Sequence, residues 1–235
     1  MDRLVRILAA PVLLAQAIRL RLTALILPEP KGARTGRIGA GPPLRLLILG
    51  DSSGAGVGVD HQDDALLGHL TRALATDYCL EWQLLAHTGA TSPHALKMLD
   101  QAGPIDVAVI ALGVNDVTRL TSASKWLAVQ NTLFQRLRDQ HGARLICVTP
   151  IPPMGEFPLL PNPLRWVLGR HAARLQTARH ALFAQYPEYC PLSFDLPMDP
   201  TLMAQDGFHP GAQAYRIWGE TTAQAIRAAR PFILP

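Results

Sequence analysis

The chain has 235 residues, of which 49% are hydrophobic and 17% are charged, a composition that supports a sizeable core and excludes wholesale disorder. The net charge of +4 originates in the N-terminal segment, because residues 1–45 hold eight basic and two acidic side chains and the remainder holds 14 basic and 16 acidic ones. No aromatic side chain alternates with the basic ones in residues 1–45, so the charge distribution argues against a nucleic-acid-binding surface.

Residues 1–27 are apolar and basic and predict a helix. Their longest uncharged stretch, residues 7–18, is too short to span a bilayer. Three interpretations stay open: a helix packed on the domain, a peripheral membrane anchor, and a signal peptide cleaved after the small residues 15–17. A cytoplasmic or membrane-associated location is favoured, and a secreted or periplasmic one requires that residues 1–17 are removed.

Residues 28–43 are rich in proline and glycine and predict a linker, so that residues 44–235 form the main domain. Within this domain, short apolar runs alternate with segments of helical spacing. The predicted strands are 44–50, 80–86, 105–112, 143–149 and 190–196. The predicted helices are 62–76, 93–101, 123–140, 164–185 and 211–229, the second with Ser92 as its N-cap. This alternation predicts an α/β fold with a parallel sheet covered on both faces.

The three cysteines, Cys79, Cys147 and Cys190, are widely spaced and form no Cys-x-x-Cys pair. They predict neither a disulfide framework nor a metal site, and Cys147 lies in an apolar run typical of a buried thiol. The histidines show no ligand spacing either. We therefore expect no metal and no cofactor.

Residues suited to acyl transfer follow the predicted strands. Ser52 comes after the first strand, Gly89 after the second and Asn115 after the third, while Asp206 and His209 stand near the C-terminus. Because the carboxyl ends of parallel strands meet at one edge of a sheet, we expect these residues to lie together. A hydroxyl, an imidazole, a carboxylate and amide donors are the groups that nucleophilic acyl transfer uses.

Two other motifs fit the stretch GDSSGAGVG (50–58) less well. No lysine follows its glycines, as a phosphate-binding Walker loop requires, and their G-x-G-x-G spacing is not the dinucleotide fingerprint. GDSSG also matches the G-x-S-x-G elbow of α/β-hydrolases. In α/β-hydrolases, however, the nucleophilic serine follows several strands, and the acid and the histidine of the triad lie on separate loops. In this sequence Asp206 and His209 are three residues apart.

Four blocks occur in the order found in the SGNH, or GDSL, hydrolases: GDSSGAG (50–56), Gly89, GVND (113–116) and DGFH (206–209). The chain resembles this family over about residues 44–229, although the first block has GDSS where the family often has GDSL, and the second is a loose match. The resemblance implies a three-layer α/β/α, flavodoxin-like sheet of about five strands. It also implies an esterase or lipase-like hydrolase of carboxylic esters.

The resemblance assigns a role to each block. Ser52 would be the nucleophile that forms an acyl-enzyme, His209 its base and Asp206 the carboxylate that orients the imidazole. The amides of Ser52 and Gly89 and the side chain of Asn115 would form the oxyanion hole. Ser53 is the alternative nucleophile, and Asp206 is alternatively an N-cap of the last helix. The acidic residues 51 and 116 are expected to support the loops.

An apolar stretch follows the fourth strand and predicts the substrate-binding residues Met154, Phe157, Leu160 and Trp166. The alternative is that these side chains pack against the N-terminal helix. The expected partner is a small-molecule acyl ester, with membrane contact through residues 1–27 left open and the oligomeric state not predicted. A carbohydrate acetylesterase, a thioesterase or a lysophospholipase would use the same site, and a non-catalytic binding protein on this fold is the alternative of another class.

Overall fold

The structure, a computed structural model, describes residues 9–194 and 199–233. The strands are β1 (Thr35–Ile38), β2 (Pro43–Gly50), β3 (Cys79–Ala86), β4 (Val107–Ala111), β5 (Leu145–Val148) and β6 (Tyr189–Pro191). The α-helices are α1 (Ala10–Thr23), α2 (Ser52–Ala55), α3 (Leu66–Leu74), α4 (Ser92–Met98), α5 (Val114–Thr118), α6 (Ala123–Gln135), α7 (Leu164–Phe183), α8 (Ala212–Ala228) and α9 (Arg230–Ile233). Short 3₁₀ helices lie at Gln62–Asp64, Leu99–Gln101 and Pro200–Leu202, and a π-helical turn at Arg136–Gln140 continues α6.

The six strands form one sheet in the order β1-β3-β2-β4-β5-β6. Strands β2 to β6 are parallel, and β1 pairs antiparallel with β3 at the edge. The predicted parallel α/β fold is therefore confirmed, with one strand more than expected. That strand, β1, lies inside the segment predicted as a linker. It is four residues long and mostly exposed, so the sequence shows no alternation of apolar and polar residues from which this strand could be predicted.

Alternate side chains of the central strands point to two separate cores. Leu46 and Ile48 pack with α3 and α8 on one face of the sheet, in the same cluster as Trp218. Leu47 and Leu49 pack on the opposite face with residues of α4 and α6. Because helices cover both faces of the sheet, β2 and β4 consist mostly of buried apolar residues. The polar residues described below follow the carboxyl ends of these strands.

The N-terminal helix α1 lies against the start of α7. The Gln16 side chain forms two hydrogen bonds there. Its Nε2 donates to the Asn162 carbonyl at 2.7 Å, and its Oε1 accepts from the Leu164 N–H at 3.1 Å. Leu13 and Leu20 pack on an apolar cluster beneath. No helix in the described ranges is long and apolar enough to cross a membrane. Residues 1–8 of the predicted N-terminal segment lie outside the described residues.

Two predicted elements differ from the structure. Helix α4 begins at Ser92 with Thr91 as its N-cap, so the prediction of Ser92 as the cap was wrong; its hydroxyl is used in a buried network described below. Strand β6 covers only Tyr189–Pro191, and residues 195–196 of the predicted strand lie outside the described residues. The short β6 forms the edge of the sheet opposite to β1.

Candidate active site

The turn between β2 and α2 places Ser52 at the carboxyl end of the central strand. The Asp51 side chain caps α2 by accepting a hydrogen bond from the Ser53 N–H at 3.1 Å, which satisfies one of the free donors of the helix start. A Cβ atom on Gly50 would lie 2.9 Å from the Gly54 Cα, so the tight turn requires glycine. Ser52 is thereby held at the first position of α2, largely buried.

A chain of hydrogen bonds joins Ser52 to the DGFH block. His209 Nε2 lies 2.8 Å from the Ser52 Oγ, across 157 residues of sequence, and His209 Nδ1 lies 2.5 Å from Asp206 Oδ2. Ser53, the alternative nucleophile, makes no hydrogen bond to this imidazole. An imidazole held between a carboxylate and a hydroxyl is the arrangement that draws the proton from a serine in nucleophilic catalysis.

The turn that carries Asp206 and His209 is fixed by backbone donors. Asp206 Oδ1 accepts hydrogen bonds from the N–H groups of Phe208 and His209, both at 3.0 Å. Burial opposes ionisation of Asp206, but the hydrogen bonds from His209 and Phe208 outweigh it and hold the pKa of Asp206 below its usual value. Asp206 is therefore a carboxylate at neutral pH and can hold a proton on the Nδ1 atom of its neighbour.

Asp51, directly before Ser52, has a different electrostatic environment. Burial raises its pKa to about 7, although the N–H groups of Ser53 and Gly54 oppose this, and the charge of Asp116 adds to the increase. Burial also raises the pKa of Asp116 itself, against hydrogen bonds from Ser92. The turn that carries Ser52 thus contains a carboxyl group whose pKa is raised by burial to about 7.

Donors for an oxyanion stand at the ends of three neighbouring strands. Within the described ranges, neither the Ser52 N–H nor the Gly89 N–H donates a hydrogen bond to another protein group. Gly89 has φ +79°, and nothing lies within 4 Å of the position that its Cβ would take. Asn115 in α5 donates from Nδ2 to the Ala90 carbonyl at 3.0 Å, which leaves the second amide hydrogen for another acceptor.

A buried polar network supports the Asn115 loop; a supporting role was predicted for Asp116, but not for the other members of the network. The Ser92 Oγ donates to Asp116 Oδ2 at 2.7 Å and accepts from Trp126 Nε1 at 3.1 Å and Gln130 Nε2 at 2.7 Å. These side chains connect α4, α5 and α6 in the protein interior. Because every member is paired in the network, it should rigidify the segment that carries Asn115.

A second unpredicted contact reaches the Gly89 loop from the segment predicted as a linker. Glu29 Oε1 accepts from the Thr88 N–H at 2.7 Å and from the Thr88 Oγ at 2.9 Å. Glu29 also forms an ion pair with Arg34. Nothing in the sequence spacing indicates this contact, because it joins residues 59 positions apart.

Two cavities adjoin the Ser52–His209 pair. The first, here called the α1 cavity, has a volume of about 570 Å³ and lies between α1, the start of α7 and the segment after α5. Its lining consists of Ala10, Leu13, Leu14, Ala17, Leu20, Arg21, Ala24, Leu25, Thr118, Leu120, Leu159, Leu160, Leu164, Val167, Leu168, Asp206, Phe208 and His209. The second cavity, of about 420 Å³, lies beside Asp51, Ser53, Thr149 and Glu156.

The four predicted substrate-binding residues take different positions. Leu160 lines the α1 cavity and Phe157 lines the second cavity. Met154 is fully buried in the apolar cluster beneath and lines neither cavity. Trp166 lies on the outer side of α7, 41% exposed, with the Arg170 guanidinium 5.5 Å from its ring centre. The alternative, packing against the N-terminal helix, describes the surroundings of Leu160, which shares a cluster with Leu13 and Leu20 of α1.

In the ranges that the structure describes, no group of three or more His, Cys, Asp or Glu side chains could hold a metal ion. All three cysteines are free thiols. Cys147 and Cys190 lie opposite each other on β5 and β6. Ser52 follows β2, which β4 separates from β5 in the sheet.

Residues 48–217 match the model of the GDSL-like lipase/acylhydrolase family. A GDSL-like esterase of Mycobacterium tuberculosis is 30% identical over 200 residues, which are 79% of this chain and 62% of that protein. The chain thus spans less than two thirds of the length of this relative.

Several solved structures share the fold. The psychrotrophic esterase EstA from Pseudoalteromonas sp. is 20% identical, with 80% of this chain and 98% of that chain covered and a TM-score of 0.62. The M. smegmatis aryl esterase is 18% identical, with 79% and 99% covered and a TM-score of 0.61. A carbohydrate acetylesterase family member from Sinorhizobium meliloti is 19% identical, with 79% and 98% covered and a TM-score of 0.58.

Proposed function

This chain belongs to the GDSL-like lipase/acylhydrolase family, and from that premise we propose that it is a serine esterase that hydrolyses carboxylic esters. The observation that carries the proposal is the hydrogen-bonded chain from the Ser52 Oγ through His209 to Asp206. Its two contacts, at 2.8 and 2.5 Å, lie within the distance needed for proton transfer between a nucleophile and its base.

The first half-reaction forms the acyl-enzyme. A serine hydroxyl is a weak nucleophile at neutral pH, so His209 Nε2 takes its proton as the Ser52 Oγ attacks the ester carbonyl carbon. The charged Asp206 keeps the other imidazole proton on Nδ1 and stabilises the imidazolium that forms. His209 then gives the Nε2 proton to the leaving alcohol oxygen, and the C–O bond to the alcohol breaks.

The negative oxygen of the tetrahedral intermediate needs hydrogen-bond donors. The N–H groups of Ser52 and Gly89 and the second amide hydrogen of Asn115 are available for it. One such donor typically stabilises the transition state by about 3 kcal/mol. The network of Ser92 and Asp116 limits the motion of the Asn115 loop, so little reorganisation accompanies the reaction.

The second half-reaction returns the enzyme to its starting state. A water molecule loses a proton to His209 Nε2 and attacks the acyl carbon, and the bond to the Ser52 Oγ breaks as His209 returns that proton to the serine. The products are the carboxylic acid and the free hydroxyl of Ser52. This scheme requires only the groups described above and a water molecule.

Labelling with a fluorophosphonate, which reacts with activated serines, tests the proposal. Wild-type protein and Ser53→Ala should be labelled and should hydrolyse p-nitrophenyl acetate, while Ser52→Ala should do neither. Ser53→Ala is the matched control because the two serines are neighbours in α2. Labelling of Ser52→Ala, or loss of labelling in Ser53→Ala alone, would show that the nucleophile is wrong.

Wild-type protein that is not labelled and hydrolyses no ester would favour a non-catalytic binding protein on this fold. Acetylated carbohydrates, acyl thioesters and lysophospholipids should be tried beside the p-nitrophenyl esters, because these substrates would pass through the same acyl-enzyme on Ser52. The ratio of kcat/KM values among them identifies the substrate class.

A further inference from the structure

We infer that the α1 cavity is the acyl-chain subsite of the enzyme, so that the N-terminal helix α1 forms one wall of the substrate site. The inference rests on the proposed function, because the cavity serves as a subsite of the reaction only if Ser52 accepts an acyl group. It assigns to α1 a part in substrate binding, and it names esters of aliphatic carboxylic acids as the substrate class.

The position of the α1 cavity is the first reason. His209 and Asp206 line it, and the same imidazole lies 2.8 Å from the Ser52 Oγ. Thr118 and Leu120, which follow Asn115 on the chain, line another part of it. The α1 cavity is therefore bounded by the His209 imidazole and by the end of α5, the helix that carries Asn115, whereas Ser52, Gly89 and Asn115 themselves do not line it. In this position it takes the part of the acyl chain that extends beyond the reacting carbonyl group.

The chemistry of the lining is the second reason. Apart from the Asp206–His209 pair, Arg21 and Thr118 are the polar residues among the described ones that line the α1 cavity, and the others are aliphatic or phenylalanine. The second cavity contains the carboxyl groups of Asp51 and Glu156. A hydrocarbon placed there would remove water from the exposed Glu156 carboxylate, which is unfavourable. A volume of about 570 Å³ lies within the usual range for small-molecule sites.

The backbone at Leu120 is the third reason. Among the described residues other than glycine, Leu120 alone has a positive φ, of +51°, in a region that leucine avoids for steric reasons. Its side chain is nevertheless large, apolar and half exposed, and it lines the α1 cavity. Strain of this kind persists where a site requires a particular side chain in a particular place.

Helix α1 contacts the rest of the chain through Gln16, Leu13 and Leu20. Gln16 donates to the Asn162 carbonyl and accepts from the Leu164 N–H, one of the free donors at the start of α7. Leu13 and Leu20 line the cavity and also pack on the cluster beneath it. The buried side chains of Leu164 and Leu168 line the same cavity from the α7 side.

The test compares two alanines of α1 that differ in the direction they face. Ala17 lines the cavity and Ala15 does not, because two residues correspond to a rotation of about 200° around a helix. Both are exposed positions in the same helix, so Ala15→Phe is a matched control for Ala17→Phe. The assay is kcat/KM for p-nitrophenyl acetate, butanoate and octanoate, with the full chain.

In wild-type protein, kcat/KM should increase from acetate to octanoate by up to about fourfold for each methylene buried. Ala17→Phe places a ring in the space of several methylenes and should lower the octanoate-to-acetate ratio by more than about tenfold. Ala15→Phe should leave both the ratio and the individual values close to wild type. Equal ratios in the two variants, or a wild type without preference for butanoate and octanoate over acetate, would overturn the inference.

A failure of the proposed function and a failure of the acyl-chain subsite give different results. If fluorophosphonate labels Ser52 but the ratios do not respond to Ala17→Phe, the proposed function stands and the subsite is wrong. If Ser52 is not labelled, the proposed function fails, and binding of octanoate measured by calorimetry tests the cavity without any chemistry. Weaker octanoate binding in Ala17→Phe than in Ala15→Phe would then support the cavity, and equal binding would reject it.

Discussion

The exchange of Asp206 for asparagine should inactivate the protein through the imidazole tautomer and leave the turn intact. Asp206 Oδ1 accepts from two backbone N–H groups at 3.0 Å, so the carbonyl oxygen of an asparagine must take that place. Its NH₂ group then faces His209 Nδ1, which must become an acceptor. The imidazole proton moves to Nε2, where it points at the Ser52 Oγ, and His209 can no longer take the serine proton.

The expected loss follows from this change of tautomer. The corresponding exchange in a serine protease triad lowers kcat about 10⁴-fold, which is about 5 kcal/mol of transition-state stabilisation at 1.36 kcal/mol per factor of ten. The assay is kcat for p-nitrophenyl acetate at neutral pH, together with thermal unfolding. We expect the melting temperature of Asp206→Asn to stay near that of wild type, because both backbone hydrogen bonds remain.

Asp199→Asn is the matched control. The Asp199 carboxylate also accepts from a backbone N–H two residues ahead, that of Thr201, at 2.8 Å, but it is exposed and lies outside the Ser52–His209 chain. This variant should keep wild-type activity. An Asp206→Asn variant that retains more than about one tenth of the wild-type kcat would refute the tautomer argument, since the expected loss is several orders of magnitude.

Two further predictions concern residues near Ser52. Asn115→Ala removes one oxyanion donor and should lower kcat about 10²- to 10³-fold in steady-state assays. The control Asn131→Ala on α6 should leave kcat nearly unchanged. A loss of less than about tenfold in Asn115→Ala would exclude Asn115 as an oxyanion donor. Burial raises the pKa of Asp51 to about 7, whereas the pKa of an aspartate in an unfolded chain is about 3.9. Between about pH 4 and 7 the folded protein therefore keeps a proton on Asp51 that the unfolded chain has lost. The free energy of unfolding should therefore fall by up to about 4 kcal/mol as the pH rises from about 4 to 7, and Asp51→Asn should flatten this dependence in urea titrations; parallel pH curves would contradict it.

The central strands and the Ser52–His209 pair could be predicted because their signals are local. Strand β4 is a β-branched run, and the residues of the four blocks follow strands whose parallel arrangement brings their ends together. The contact between Ser52 and His209 crosses 157 residues, yet it required only the order of the blocks and the topology. The catalytic roles themselves stay predictions until the variants are measured.

Other features depend on tertiary placement, and the sequence does not encode them locally. Strand β1 is short and exposed, and Glu29 contacts Thr88 only because β1 pairs with β3. Prolines interrupt the periodicity of residues 150–163, so the directions of Met154 and Trp166 could not be derived. The first is fully buried and the second is exposed on the outer side of α7.

The distance along the chain between Ser52 and His209 has a consequence for synthesis. Ser52 leaves the ribosome well before His209, which follows 157 residues later, and α8 must then pack on α3 to hold the DGFH turn in place. A nascent chain therefore carries an unactivated hydroxyl until residue 209 has been added and α8 has packed. Any fragment that stops before residue 209 should be chemically inert, so hydrolysis reports that the two ends of the domain have joined.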